Sequence, residues 1–204
     1  MQTLKGYFGE AMAGIFAETI PPFGKDEWTV PAYLFRFHSV AFQHLELLKQ
    51  TGGAATPIPG RTGDDCLAFR RADDGTIVAS LLCEAKCLAG HNAQKINEAH
   101  EKSSLANAIP VDLFQLIEIL NDSKSPGAVQ WVNSLRQLAL SRGGKGYERV
   151  DHITYICGQK PKKGKTWIPS DKPHTKYTGG RKLHVVEVHL TDVDQLVERI
   201  YEVR

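Results

Sequence analysis

The chain has 204 residues, of which 42% are hydrophobic and 24% are charged. This composition is that of an ordinary globular protein, and the length predicts a single domain spanning residues 1–204. The net charge of +2 excludes a strongly basic protein, so any nucleic-acid surface must come from an uneven distribution of charge. No stretch resembles a signal peptide or reaches the ~18 consecutive apolar residues of a membrane span, and we expect a cytoplasmic protein.

The N-terminal part is predicted to be helical. Residues 5–19 place apolar side chains at helical spacing, and Ile15 is among those expected to be buried. Small residues lie between them and allow close approach to a sheet. A proline pair ends this helix, and helical periodicity resumes over residues 31–50.

A β-hairpin is predicted next, because two apolar runs flank an Asp-Asp-Gly turn at residues 73–75. The second run ends in Glu84 and Lys86, which point to the same face because strand side chains alternate. In the register that the turn suggests, Asp65 lies at the same end of the hairpin. A slip of one residue would bring Asp64 there instead.

Two carboxylates and an ammonium at the end of a buried strand indicate metal-dependent chemistry. Carboxylates at close range repel each other unless a cation lies between them, and Mg²⁺ prefers such hard oxygen ligands. We predict that Asp65 and Glu84 bind Mg²⁺ or Mn²⁺, with the backbone carbonyl of Ala85 as a third ligand. Lys86 would orient the attacking water or neutralise the transition state. The alternative is a structural ion pair at the strand end.

Helices and two more strands follow the hairpin. Asn92 is predicted to cap a polar helix that extends to about residue 106, and Ser125 to cap a more apolar one. Strands are predicted at residues 150–157 and 183–190, followed by a terminal helix. This order predicts an α/β three-layer sandwich with a central mixed sheet flanked by helices.

The four cysteines form no Cys-x-x-Cys pair. The spacing of Cys83, Cys87 and His91 allows a zinc site. The apolar strands around Cys66 and Cys83 instead favour free thiols that act as small hydrophobic residues.

Residues 158–182, between the last two strands, form a basic loop with eight cations and one acid, Asp171. Such an excess is typical of contact with a phosphate backbone, and Trp167 and Tyr177 could stack on an unpaired base. A solvated loop is the alternative. The predicted nucleic-acid-binding residues are Lys160, Lys162, Lys163, Lys165, Lys172, Lys176, Arg181 and Lys182.

The hairpin resembles the PD-(D/E)XK nuclease superfamily, whose pattern is an Asp at the start of one strand and Glu-x-Lys at the end of the next. Residues 63–67, Gly-Asp-Asp-Cys-Leu, are similar to the first half, and residues 84–86, Glu-Ala-Lys, match the second. The resemblance implies a restriction-endonuclease-like fold and Mg²⁺-dependent hydrolysis of phosphodiester bonds in DNA. It also implies catalytic roles for Glu10 in the first helix, or for Glu18, and for Gln94 after the lysine strand.

More narrowly, the arrangement is similar to the small nuclease subunit of Hachiman-type anti-phage defence systems, which works with a separate helicase subunit. This similarity implies an endonuclease of antiviral defence with DNA and a helicase as partners. Two alternatives stay open, namely a non-catalytic nucleic-acid or partner-binding module of the same fold and an enzyme that acts on small phosphates. The sequence contains no glycine-rich phosphate loop of the kind that would favour the latter.

Overall fold

The structure is a computed structural model that describes residues 1–24, 27–34, 63–105, 107, 109–123, 125–169, 172 and 174–201. The predicted helix over residues 31–50 lies almost entirely outside these ranges. The elements are α1 (Gln2–Thr19), a 3₁₀ turn (Pro22–Gly24), β1 (Cys66–Arg71), β2 (Ile77–Leu88), α2 (Ala93–Ser103), α3 (Leu113–Ser123), α4 (Pro126–Ser141), β3 (Glu148–Cys157), β4 (Leu183–His189) and α5 (Val193–Tyr201).

The four described strands form one sheet in the order β1-β2-β3-β4. The predicted hairpin is present, with β1 antiparallel to β2 and Cys66 opposite Cys83. Its turn contains Gly75 at φ +85°, a conformation that glycine adopts without steric cost. β3 and β4 each pair in parallel with the preceding strand in the sheet, so the sheet is mixed, as predicted.

Helices cover both faces of this sheet, which confirms the predicted three-layer α/β sandwich. α1 and α5 lie on one face, where an ion pair of 2.7 Å between Lys5 and Asp194 joins them. α3 and α4 pack on the other face through an apolar cluster that includes Leu67, Leu116 and Leu135. α2 contacts β2 and β3 on this second face.

The contact of α1 with the sheet is made by small residues. Gly9, Ala13, Gly14 and Ala17 are buried, whereas Ile15 is 42% exposed, so the prediction of a buried Ile15 was wrong. The small side chains let the helix axis approach the strands closely. That approach turns the side of the helix that carries Ile15 away from the core.

Local capping signals fixed two helix starts where the sequence predicted them. The Asn92 side chain accepts a hydrogen bond from the Lys95 backbone at 3.2 Å, and Ser125 caps α4 in the same way through Ala128 at 3.2 Å. All four cysteines are free and buried. None of the described helices is long and apolar enough to cross a membrane.

Candidate active site

Strand alternation in β2 directs the predicted site residues toward α2. Ala85 and Cys87 face α1, because a Cβ atom at Gly9 would lie 3.5 Å and 3.4 Å from their Cβ atoms. Glu84 and Lys86 consequently point to the opposite face, the one that α2 covers. The predicted common orientation of these two side chains is confirmed.

The register of the hairpin brings Asp65, rather than Asp64, to this site. The Asp65 backbone N–H donates to the Cys83 carbonyl at 3.0 Å, and its Oδ2 accepts a hydrogen bond of 2.7 Å from the Ala85 backbone. Asp64 is tied to Asp112 through its backbone N–H, which donates to Oδ2 at 2.7 Å, and its charge contributes to the raised pKa of Lys102.

Gly63 leaves room for the Asp112 side chain beside this part of the chain. A Cβ atom at position 63 would collide with the carboxylate of Asp112, which lies just before α3. The glycine of the Gly-x-Asp pattern therefore lets the chain pass close to Asp112. The hydrogen bond from Asp64 to Asp112 then fixes the residue that precedes Asp65.

A residue that the sequence did not single out, Lys102, occupies the centre of the site. Its ammonium forms an ion pair with Glu84 Oε2 and lies 3.6 Å from Asp65 Oδ1. Lys86 pairs with the other oxygen of Glu84, Oε1. Two carboxylates and two ammonium groups thus share one cluster at the interface of β2 and α2.

Burial shapes the electrostatics of this cluster. The side chain of Glu84 is only 5% exposed. Its burial and the nearby charge of Asp65 raise the pKa of Glu84 against the opposing effect of Lys102 and Lys86. For Lys102, burial disfavours the ammonium, but the charges of Asp65 and Glu84 outweigh it and raise the pKa of Lys102.

The oxygen donors of the site fit a divalent cation of the Mg²⁺ type. Mg²⁺ in proteins is commonly held by one or two carboxylates together with water and phosphate oxygens. Asp65 and Glu84 supply such carboxylates, and the Ala85 backbone N–H, which is a donor and not a ligand, positions Oδ2 of Asp65. Among the described residues, no group of three or more His, Cys, Asp and Glu side chains is placed to hold a metal. Cys83, Cys87 and His91, whose spacing allowed a zinc site, form no such group.

Gln94 and Glu10 lie further from the two carboxylates. Gln94 is exposed in the first turn of α2, hydrogen-bonded to Glu98, and about 12 Å along the helix axis from Lys102. Glu10 lies near Tyr7 and Tyr201, at the contact between α1 and α5 on the other side of the sheet. The structure therefore groups neither side chain with Asp65 and Glu84.

The end of α2 that carries Lys102 is fixed by Arg181. The Arg181 guanidinium donates to the carbonyls of Ser103 at 2.9 Å and Leu105 at 3.0 Å. It also pairs with the fully buried Asp151 at 3.0 Å, and Arg149 pairs with the same carboxylate at 2.9 Å. Arg181, predicted to contact phosphate, thus has a structural role in this arrangement.

Acids from other elements neutralise two further cations of the basic loop. Lys176 pairs with Glu101 at 3.0 Å, and Lys182 pairs with Glu148 at 2.8 Å. Counting only the acids within the segment therefore overstated its charge. The remaining predicted nucleic-acid-binding residues are exposed, namely Lys160, Lys162, Lys163, Lys165 and Lys172.

The basic loop is anchored on the sheet and beside the start of α2. Trp167 stacks on His91 with ring centroids 3.8 Å apart, and its backbone N–H donates to Glu187. Tyr177 donates its hydroxyl to Asp151 at 2.6 Å. Both aromatic residues thus have partners within the protein, which corrects the expectation that they are available to stack on a base.

Comparisons with models of protein families and with curated proteins gave no match for this chain. Its function is therefore inferred from the chemistry of the cluster and from the charges around it.

Proposed function

We propose that this protein is a Mg²⁺-dependent endonuclease that hydrolyses phosphodiester bonds of DNA, with Asp65, Glu84 and Lys86 as its catalytic residues. The observation that supports this most is that Asp65 and Glu84, from two different strands, contact one ammonium group. Lys86 adjoins the same Glu84 carboxylate. A site with this composition is what the resemblance to PD-(D/E)XK nucleases implies.

Each residue has a defined task in such a site. Asp65 and Glu84 would hold the ion with the help of the Ala85 backbone, and the bound ion would activate a water and stabilise charge on a phosphoryl oxygen. The Ala85 N–H fixes Oδ2 of Asp65, which leaves Oδ1 directed toward Lys102. Lys86 stabilises the ionised form of Glu84 and can present its ammonium to the negative charge that develops in the reaction.

Exposed lysines near the site support a polyanionic substrate. The basic loop leaves the sheet beside β2, where the Gly158 N–H donates to the Leu88 carbonyl at 2.9 Å. Leu88 lies two residues beyond Lys86 on the same strand. Lys160, Lys162, Lys163 and Lys165 are thus presented at the same end of the sheet, where they can contact a phosphate backbone.

The setting of this activity follows from the narrower resemblance. We place the enzyme in the cytoplasm as part of antiviral defence, with a helicase subunit as its partner. The exposed lysines of residues 160–165 suit a nucleic-acid substrate of any sequence, since lysine contacts phosphate without reading bases.

Lys102 favours one alternative function, a non-catalytic nucleic-acid-binding module of the same fold. Its ammonium already neutralises the carboxylate pair, as it would in a purely structural ion cluster. In that case the exposed lysines would still bind nucleic acid, and no bond would be cut.

A cleavage assay separates these two functions. The purified chain is incubated with plasmid DNA, single-stranded DNA and single-stranded RNA in Mg²⁺, Mn²⁺ or EDTA. We expect DNA cleavage with either metal and none in EDTA, loss of cleavage in Asp65→Asn, and activity retained in the neighbouring control Asp64→Asn. DNA binding without cleavage under every condition would establish the binding module, and cleavage of RNA alone would change the substrate.

A further inference from the structure

Lys102 approaches both carboxylates of the site from a different element of the fold. It reaches Glu84 Oε2 directly and lies 3.6 Å from Asp65 Oδ1, the oxygens that the proposed metal would use. We infer that Lys102 is a displaceable counter-ion, so that its ammonium and a divalent cation compete for the same oxygens. This inference rests on the proposed metal site and specifies how that site is regulated.

The charges of the cluster support competition rather than joint binding. Asp65 and Glu84 contribute two negative charges, and Lys86 and Lys102 contribute two positive charges, so the cluster is neutral. Adding a divalent cation would leave the partly buried site with an excess of positive charge. Withdrawal of Lys102 lowers the net charge of the metal-bound site from +2 to +1 and uncovers an oxygen of each carboxylate.

The position of Lys102 allows its side chain to move while its helix stays in place. Arg181 holds the carbonyls of Ser103 and Leu105, on either side of the end of α2, so the backbone there is fixed. The Lys102 side chain is 29% exposed and has a flexible four-carbon stem. Displacement therefore requires a change of rotamer toward solvent and no movement of the helix.

An alternative partner for the displaced ammonium lies one helical turn away. Glu98 precedes Lys102 by four residues on α2, and a glutamate N-terminal to a lysine at this spacing forms a favourable pair. Glu98 forms an exposed ion pair of 2.6 Å with Lys95 in this structure.

The test measures Mn²⁺ binding by calorimetry in the full chain and in Lys102→Met, which keeps the length of the side chain without its charge. Lys5→Met is the matched control, since Lys5 also forms a partly buried ion pair, with Asp194 on the other side of the sheet. We expect Lys102→Met to bind Mn²⁺ at least tenfold more tightly than the parent and Lys5→Met to bind it equally. Equal or weaker binding by Lys102→Met would overturn the inference.

A second measurement uses the parent protein, in case the variant fails to fold. An amine-specific acylating reagent followed by mass spectrometry reports how accessible each lysine is. We expect acylation of Lys102 to be slow in EDTA and several-fold faster in saturating Mn²⁺, with Lys5 unchanged. An unchanged rate at Lys102 while Mn²⁺ binds would also overturn the inference.

These outcomes are distinct from those of the cleavage assay. Tighter Mn²⁺ binding by Lys102→Met in a protein that cuts no nucleic acid would support the displaceable counter-ion and remove the nuclease function. Equal Mn²⁺ affinity of Lys102→Met and the parent, in a protein that cuts DNA, would support the nuclease function and remove the displaceable counter-ion. Absence of Mn²⁺ binding in the parent and in Lys102→Met would remove the counter-ion and the metal-dependent nuclease alike.

Discussion

Glu84 carries a negative charge in a place where charges are costly. Its side chain is 5% exposed within β2, a strand whose other residues are largely apolar. A buried charge is tolerated only when it is paired, and removing one partner of a buried pair is strongly destabilising. Lys86 and Lys102 supply that pairing, yet an apolar residue at this position would avoid the cost altogether. The retention of a buried carboxylate is better explained by chemistry than by stability.

A second buried polar residue, His152, allows a prediction of how the stability of the folded protein changes at acidic pH. Its Nδ1 lies 3.0 Å from Nδ1 of His184, and its Nε2 lies 2.8 Å from Thr154 Oγ1, on the side of the sheet that α1 covers. Burial, with a smaller effect of His184, lowers the pKa of His152 to about 3. Between that value and the ordinary pKa of about 6.5, the unfolded chain binds a proton that the folded chain does not.

The sign of the pH effect follows from this difference. The contribution of a neutral His152 to stability is fully present above pH 6.5 and is lost as the pH falls toward 3, with a slope of at most about 1.4 kcal/mol per pH unit. Urea unfolding of the parent and of His152→Gln, from pH 7 to pH 4, measures this slope. We expect the variant to lose less stability than the parent over this interval. Equal slopes would show that folding does not lower the pKa of His152.

At the scale of helices and strands, the features that depend only on residues close in the sequence were predicted correctly. The hairpin follows from its turn and its apolar runs, and the caps at Asn92 and Ser125 follow from hydrogen bonds within one helical turn. The common face of Glu84 and Lys86 follows from strand alternation. These features are local, so they could be predicted without knowledge of the tertiary structure.

Lys102 could not be predicted in this way. Helical periodicity shows which residues of α2 share a side, but several polar residues do so, and only tertiary packing selects the one that meets Glu84. The ion pairs of Lys176 and Lys182 are likewise made with acids distant in sequence, Glu101 and Glu148. One available signal for Lys102 was that a buried carboxylate pair requires more than one cation.

The exposed lysines of the basic loop lead to a prediction about DNA binding. Replacing Lys160, Lys162, Lys163 and Lys165 by Gln removes four exposed charges that have no structural task among the described residues. DNA binding should weaken equally on all sequences, because lysine interacts with phosphate as a point charge. The slope of log affinity against log salt should fall by up to about 0.9 for each phosphate that the variant no longer neutralises.

The control for this prediction is Lys176→Gln combined with Lys182→Gln, which changes two lysines that are already paired. We expect this control to bind DNA almost as the parent does. Fluorescence anisotropy across a salt titration measures both variants. An unchanged salt slope in the fourfold variant would assign the loop to a protein partner instead.

At the scale of the whole molecule, a net charge of +2 conceals two distinct regions. The carboxylates of the site are neutralised inside the protein by Lys86 and Lys102, whereas residues 160–165 expose lysines to solvent. Both regions lie toward the C-terminal ends of β2 and β3, where open α/β sheets commonly bind their ligands. A DNA strand held by the loop would therefore pass beside the site.

The central claim is that this cluster performs chemistry rather than serving as a structural ion pair, and Lys86→Ala tests it most directly. Single-turnover DNA cleavage in saturating Mg²⁺ is compared for the parent, Lys86→Ala and Lys95→Ala, whose lysine belongs to an exposed pair with Glu98. We predict at least about a 100-fold loss of rate in Lys86→Ala, because the ammonium stabilises developing charge. DNA binding should be nearly unchanged, and the variant should stay folded at a lower melting temperature, because Lys102 still pairs with Glu84. Lys95→Ala should cut at the parental rate. Cleavage by Lys86→Ala at the parental rate, or unfolding of that variant, would contradict the claim.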